Sequence, residues 1–361
     1  MKIVVAIDAF KGCLTSVEAN QAAAMGIKDY MPDAEVLQIP VSDGGEGWLD
    51  AFHNVLGGMI VEVAVYDPLM RSITSKYLVK DDMAVIEIAQ ASGLSLLSVD
   101  ERNPLIATSY GTGQLIVDAI RKGCKHIIVG LGGSATSDCG KGMLKAISDI
   151  LGHGAPVEDI EALDRVSFTI ATDVSNPLCG KDGAAHVFAP QKGASPEMVL
   201  ELDERAKRFA EESAKHFGFN CQYKSGAGAA GGLGYAFMQY LQADCCSGID
   251  LLLDSLDFDT LLTDASLIIT GEGSADRQTL MGKLPFGILK RAKHSNVPVA
   301  LIAGKVTHKD ALLDAGFSFV DCINPPGISE EDAMRRETAL HNIRQTIHVY
   351  QDVNRLKTLI G

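Results

Sequence analysis

Short apolar runs recur along the chain, and most give way to glycines, acids or hydroxyl residues before a stretch with helical spacing begins. An apolar run bounded in this way reads as a buried strand and the stretch behind it as a helix, which predicts an α/β fold. Residues 3–7 are the first such run, followed by Asp8, Lys11 and Gly12, then Thr15 and Glu18 at capping-box spacing ahead of Ala22, Ala23 and Ile27. Residues 35–41 repeat the pattern, breaking into Ser42, Asp43, Gly44, Gly45, Glu46 and Gly47 before a helix that begins near Trp48. The texture then changes. Residues 59–66, 72–80 and 83–89 read as successive strands with turns at Asp67-Pro68 and Asp81-Asp82, which suits antiparallel pairing.

Residues 108–122 read as a helix closed by Gly123, and 126–129 as a strand opening into a glycine-rich run up to Gly142. Strands are expected at 168–172, ending on Asp173, and at 186–188, leading to Lys192. Residues 196–216 form an exposed helix with acid–base pairs at i,i+4, and Gly226 to Gly234 a glycine-rich helix entry. The last strands are 267–270, stopping at Gly271, then 297–303, stopping at Gly304-Lys305, and 317–323. Ser329 and Asp332 cap a C-terminal helix carrying Leu340, Ile343, Ile347 and Tyr350 on one stripe, with His341 and His348 off it.

Strands 3–7, 35–41, 267–270, 297–303 and 317–323 are expected to form one doubly wound parallel sheet of Rossmann or flavodoxin-like type. Its domain is discontinuous, 1–60 and 256–361, with a second α/β domain inserted as 61–255. At 361 residues and 47% hydrophobic content the chain can bury two cores.

Charge narrows the partners. With 32 basic against 46 acidic residues the net charge is −14, which disfavours nucleic acid and acidic membrane surfaces, so an anionic substrate needs local lysines. No apolar run approaches the roughly 20 residues of a membrane helix, and residues 3–7 are too short for a signal peptide, so the cytoplasm is expected. Eight cysteines without a CxxC pair read as free thiols in a reducing compartment, and nine histidines show no HExxH spacing.

Candidate chemistry gathers where strands end, because ligands of parallel α/β sheets bind beyond the carboxyl ends of the strands. Asp8, Lys11, Asp43, Asp173, Lys192, Glu272, Asp276 and Lys283 are so placed, and an interdomain cleft is expected to collect them. Six of these have a plainer competitor: Asp8, Asp43 and Asp276 as helix caps, Lys11 and Lys283 as solvated cations, Asp173 with Asn176 as an Asx turn before Pro177. Gly271 and Gly273 are expected to take φ > 0 and allow close backbone approach at an anion site. Gly132, Gly133, Ser134 and Thr136 offer backbone N–H groups and hydroxyls to a phosphate, with the positive end of the next helix behind them. A Walker A loop does not fit, because Ala135 and Gly142 stand where that motif needs Gly and Ser or Thr. Gly130, Gly132 and Ala135 satisfy the dinucleotide spacing GxGxxA, although Asp149 is not at the end of a second strand.

Taken in order, Asp8 to Gly12, Ser42 to Gly47, Gly132 to Thr136, Asp173 to Leu178, Pro190 to Gly193, Gly226 to Gly234, and Thr270 to Gly273 with Asp276, Gln278, Thr279 and Lys283 resemble the bacterial glycerate kinase family that lacks a Walker A loop. The resemblance spans nearly the whole chain. It implies a two-domain kinase using ATP and Mg²⁺ to phosphorylate (R)-glycerate, at the 2-hydroxyl rather than the 3-hydroxyl. It further implies Asp43 or Asp173 orienting the hydroxyl, with Asp8 among the catalytic acids, and Lys11 and Lys283 neutralising phosphate or carboxylate. Glu272 and Asp276 would hold the metal, and Gly132 to Thr136 with Lys192 the nucleotide phosphates. Departures are Ala9 for Ser, Ser137 for Asn, Cys139 for Gly and Ser274 for Arg, the last leaving Arg277 to supply a guanidinium. Two other readings stay open: an NAD-dependent hydroxy-acid dehydrogenase built on Gly130 to Ala135, and a non-enzymatic sensor of organic acids. Homo-oligomerisation is left open.

Overall fold

The computed structural model describes residues 1–10, 12–39, 41 and 47–347. Lys11, Ser42, Asp43, Gly44, Gly45, Glu46, His348 and Tyr350, all named above, lie outside the described residues. In chain order the strands are β1 (Lys2–Ile7), β2 (Glu35–Gln38), β3 (Met59–Tyr66), β4 (Ser72–Lys80), β5 (Met83–Glu87), β6 (His126–Gly130), β7 (Ser167–Ala171), β8 (Asp244–Cys246), β9 (Ala265–Ala275), β10 (Val299–Val306) and β11 (Phe319–Cys322). They form two sheets in two compact units, Met1–Asp43 with Ile249–Gly361, and Gly44–Gly248. These limits differ from the expected 60 and 255. The helix Trp48–Leu56 packs on β4 and β5 of the second unit, through buried Trp48, Leu49 and Phe52.

The first unit carries a parallel sheet in the order β11-β10-β9-β1-β2. Counted within the unit this is the flavodoxin-like order, and the order reverses between β1 and β9. Ile3, Val5, Ile7, Leu267, Ile269 and Ile302 pack on one face with Ala19, Ala23, Ile27 and Ile343 from the helices Ser16–Tyr30 and Arg336–Ile347. Val4, Ile268 and Leu301 alternate to the other face and are equally buried, which is why these strands read as continuous apolar runs. The first helix starts as its sequence predicts, with Thr15 and Glu18 closing a capping box.

The second unit has a mixed sheet, β3-β4-β5-β6-β7-β8. β3, β4 and β5 pair antiparallel through short turns, and β5 through β8 pair parallel. Val129, Ile170, Met143, Ile147, Leu233 and Phe237 lie in its core.

Several expected elements change. Residues 186–188 belong to a short helix, Ala184–Phe188, not a strand. Three apolar residues are ambiguous on their own, and here Ala185 and Ala189, four apart, pack together against Val199 and Leu202 of the helix Pro196–Phe217. That helix is not wholly a solvated face either, since buried Asp203 accepts from Gly180 N–H at 2.8 Å and from Lys207 at 2.9 Å. β9 and β10 run on to Ala275 and Val306, through glycines expected to stop them. Gly271 and Gly273 stay in the extended backbone of β9, where Gly271 pairs with Ile7 of β1 and Ile302 of β10. Gly271 is there for lack of space: a Cβ would stand 2.4 Å from the Ile302 carbonyl oxygen.

Candidate functional site

The first unit brings Asp8, Glu272, Lys283 and Asp276 to the carboxyl edge of its sheet. Asn20 sets the end of β1, its buried amide accepting from Ile7 N–H at 3.3 Å and donating to the Ile7 carbonyl at 2.8 Å. Asp8 follows at once. Its backbone N–H donates to the Gly271 carbonyl at 2.9 Å, and its carboxylate accepts from Ala9 N–H at 2.7 Å. Ile7 pairs with Gly271 across β1 and β9, so the two buried carboxylates Asp8 and Glu272 start from neighbouring strand positions.

Glu272 is fully engaged. Oε1 accepts from Thr279 Oγ1 at 2.6 Å and Oε2 from Lys283 Nζ at 3.0 Å. Burial raises its carboxyl above the usual range, against the opposing pull of the Thr279 hydroxyl and the Lys283 ammonium. Lys283 caps the helix Leu284–His294 through its backbone, just after Gly282 turns at φ +107°. Asp276 makes an Asx turn, accepting from Gln278 N–H at 2.7 Å. Thr279→Val therefore removes the neutral donor to Glu272. It should lower stability by about 1–2 kcal/mol in urea unfolding and move the Glu272 carboxyl still higher, as read by NMR titration.

A cavity of about 580 Å³ opens at this edge. Its polar side is Asp8, Glu272, Ser274, Lys283, Lys305 and Asn324, and its apolar side includes Phe10, Ile323, Ile328 and Met334. Lys305 and Asn324 are cavity residues to which the sequence analysis assigns no role. The sequence signal for both was their position just past an apolar run, as for Asp8.

The second unit builds a different site at the carboxyl end of β6. Gly133 turns at φ +73°, and the N–H groups of Gly132, Gly133 and Ser134 make no hydrogen bond among the described residues. The buried hydroxyls of Thr136 and Ser137 also lack partners there. Lys192 enters from the turn Pro190–Lys192 and is only 2% exposed. Its ammonium donates to Ser134 Oγ at 2.8 Å and to the Thr136 carbonyl at 2.6 Å. Burial pushes its pKa down to about 7, against the opposing pull of the Asp138 charge.

Asp138 organises the rest of the loop. Its carboxylate accepts from Gly140 and Gly142 N–H at 3.1 and 3.0 Å and from the Ser109 hydroxyl at 2.8 Å, and Ser109 Oγ in turn accepts from Met143 N–H at 3.0 Å. The first-turn N–H groups of the helix Lys141–Ile150 are thus already capped. The expectation that this helix end serves a phosphate is overturned, and with it the helix-terminus geometry that a GxGxxA dinucleotide site needs. Asp138 was legible as an Asp-x-Gly cap; Ser109, 29 positions away, had no signal.

The glycines after Gly226 serve this loop rather than a ligand. Ala230, Gly231 and Gly232 lie in the left-handed region, and Gly231 passes so close that a Cβ would stand 2.0 Å from the Thr136 carbonyl oxygen. Asp173 is exposed beyond β7, where the Ser247 hydroxyl donates to it at 3.2 Å. Asn176 has turned to structure, donating to the Asp182 carbonyl at 2.8 Å.

Among the described residues no three His, Cys, Asp or Glu side chains converge as a metal cage. A nucleotide-borne Mg²⁺ needs only one or two protein carboxylates besides phosphate and water. Asp276, whose turn uses one oxygen, suits that donor set; Glu272, with an ammonium on one oxygen and a hydroxyl on the other, suits it less.

Comparison with known proteins agrees with these motifs. The family model described as "Glycerate kinase family" matches residues 3–353. The chain is 42% identical to the glycerate kinase of Bacillus subtilis (strain 168) over 354 residues, 92% of this chain and 93% of that one. It is 38% identical to the glycerate 2-kinase of Escherichia coli (strain K12), covering 90% of this chain and 91% of that one. A crystal structure of a protein described as glycerate kinase 2 from Salmonella typhimurium LT2 superposes with a TM-score of 0.82 at 37% identity, covering 99% of each chain. On the length of the family match and these identities, the chain belongs to the glycerate kinase family.

Proposed function

We propose that this chain transfers the γ-phosphate of ATP to the 2-hydroxyl of (R)-glycerate, giving 2-phosphoglycerate and ADP. The observation that carries this reading is the Lys192 ammonium, buried without a carboxylate partner among the described residues and braced on Ser134 and Thr136 beside three backbone N–H groups unengaged by those residues. A cation held so far from water is stabilised by an anion, and phosphate supplies one.

Phosphoryl transfer asks the protein mainly for positioning and charge neutralisation. Gly132, Gly133, Ser134, Thr136 and Lys192 hold the nucleotide phosphates. Asp276, with Glu272 beside it, would hold the Mg²⁺ that accompanies ATP, and the ion would supply charge neutralisation to the phosphates. Lys283, oriented by Glu272, and Lys11 neutralise the transferring phosphoryl group or the acid. The hydroxyl is oriented, and its proton accepted, by Asp8, Asp43 or Asp173. Among the variants Asp8→Asn, Asp43→Asn and Asp173→Asn, the one lacking the base should lose about 10²–10⁴-fold in kcat, read from the steady-state pH profile.

No helix of the described residues is long and apolar enough to cross a membrane, and the eight free thiols suit a cytoplasmic enzyme of small-molecule substrates. The reading is tested by coupled ADP detection with ATP and Mg²⁺. ADP release that depends on (R)-glycerate supports it. Tight glycerate binding without ADP, or an NAD-dependent absorbance change without ATP consumption, would replace it with a sensor or a dehydrogenase.

A further inference from the structure

Among the described residues, five charged side chains line the cavity of the first unit: Asp8, Glu272, Glu330, Lys283 and Lys305. Acids outnumber bases there, although the substrate of the proposed reaction is itself an anion. Lys283 donates to Glu272 at 3.0 Å, so its charge is already matched within the protein. Lys305 makes no ion pair or hydrogen bond among the described residues.

Its position follows from strand register. Ala303 pairs with Glu272 and Lys305 with Ser274, while Ile7 pairs with Gly271 one step before Asp8. Side chains two apart on a strand share a face, so Asp8, Glu272, Ser274 and Lys305 rise from one face at the carboxyl edge of three adjacent strands. The wall beside Lys305 is fixed, since Asn324 donates to the Gly304 carbonyl at 2.7 Å and accepts from Asn342 at 3.0 Å. Arg277, the guanidinium that the sequence offered for this duty, is exposed and does not line the cavity.

We infer that Lys305 anchors the carboxylate of the hydroxy-acid substrate in this cavity. The inference rests on the reading that the substrate is a small hydroxy acid. A carboxylate on the Lys305 ammonium leaves the acid's hydroxyl on the side of Asp8 and Lys283 and its carbon skeleton toward Phe10 and Ile323. Lys305 is thus a specificity residue for the acid and not for the nucleotide.

The test combines calorimetric binding of (R)-glycerate with ADP-release kinetics on the full chain. Lys305→Ala should raise the glycerate Kd and KM about 10- to 100-fold while the ATP KM stays within about twofold. Lys305→Arg should bind glycerate nearly as the natural chain does. In the double variant Lys305→Ala/Ser274→Arg, a cation returns from the register-paired position and should recover most of the loss, which a merely structural role for Lys305 would not allow. Unchanged glycerate binding in Lys305→Ala, a loss that falls on ATP instead, or a loss that Ser274→Arg does not restore would each overturn the inference. Glycerate binding that depends on Lys305 without ADP release would sink the kinase reading and leave the anchor standing. Neither binding nor turnover in the natural chain would overturn both.

Discussion

Lys192→Met is expected to weaken ATP binding at least about 100-fold while making the protein more stable at neutral and acidic pH. The two effects have opposite signs for one reason. The ammonium is buried on a hydroxyl and a carbonyl, with no carboxylate paired to it among the described residues, and its pKa is pushed down to about 7. In the unfolded chain a lysine titrates near 10.4, so between about pH 7 and 10 the unfolded state binds the extra proton. Stability of the natural chain therefore rises with pH through that window. The cost of burying the charge is fully present below pH 7 and fades toward pH 10. Removing the charge should raise the unfolding free energy by on the order of 1–3 kcal/mol at pH 6 and by little at pH 10, as measured by urea titration. Bound triphosphate holds the proton on Lys192, so ATP affinity of the natural chain should fall as pH rises above 7, up to tenfold per unit. The Met variant should lack that slope. A lysine placed only for structure would lose stability on substitution and leave nucleotide affinity alone.

Gly231→Ala should damage the same loop from the other side. The residue sits at φ +65°, and a Cβ there would be 2.0 Å from the Thr136 carbonyl oxygen, the oxygen that accepts from Lys192 at 2.6 Å. Left-handed backbone alone costs an alanine about 1–2 kcal/mol. The collision must also push the Thr136 carbonyl aside, so a total loss of about 3 kcal/mol or more is expected, with a raised ATP KM in whatever folds. Gly123→Ala is the control. Its φ is +92° with open space around it, so it pays the backbone term without the collision, and nucleotide binding should not change. Equal stability losses in the two variants, with equal ATP KM, would mean that Gly231 does not support the loop.

The sequence announced what depends on local pattern. The apolar runs of β1, β9 and β10, the Thr15–Glu18 capping box and the turns between β3, β4 and β5 are all visible as spacing, because strand alternation and capping act over a few residues. Glycine was harder to read. Gly271 looked like a turn and proves to be strand backbone packed under Ile302, and Gly231, in the expected helix entry, is packed under the Thr136 carbonyl. Sequence shows that a Cβ is missing but not what would have met it. The charge states were hidden for the same reason. That Lys192 is braced and Lys283 matched depends on groups 56 and 11 positions away, and that Lys305 has no such partner among the described residues is equally invisible in local spacing.

The claim on which the rest stands is that the γ-phosphate leaves ATP for the 2-hydroxyl of glycerate. It is tested most directly by ³¹P NMR of the natural chain with ATP, Mg²⁺ and (R)-glycerate, followed until the ATP resonances decline. The account predicts the signal of 2-phosphoglycerate growing in step with ADP. Inorganic phosphate as the partner of ADP, or ATP persisting unchanged beside glycerate, would contradict it.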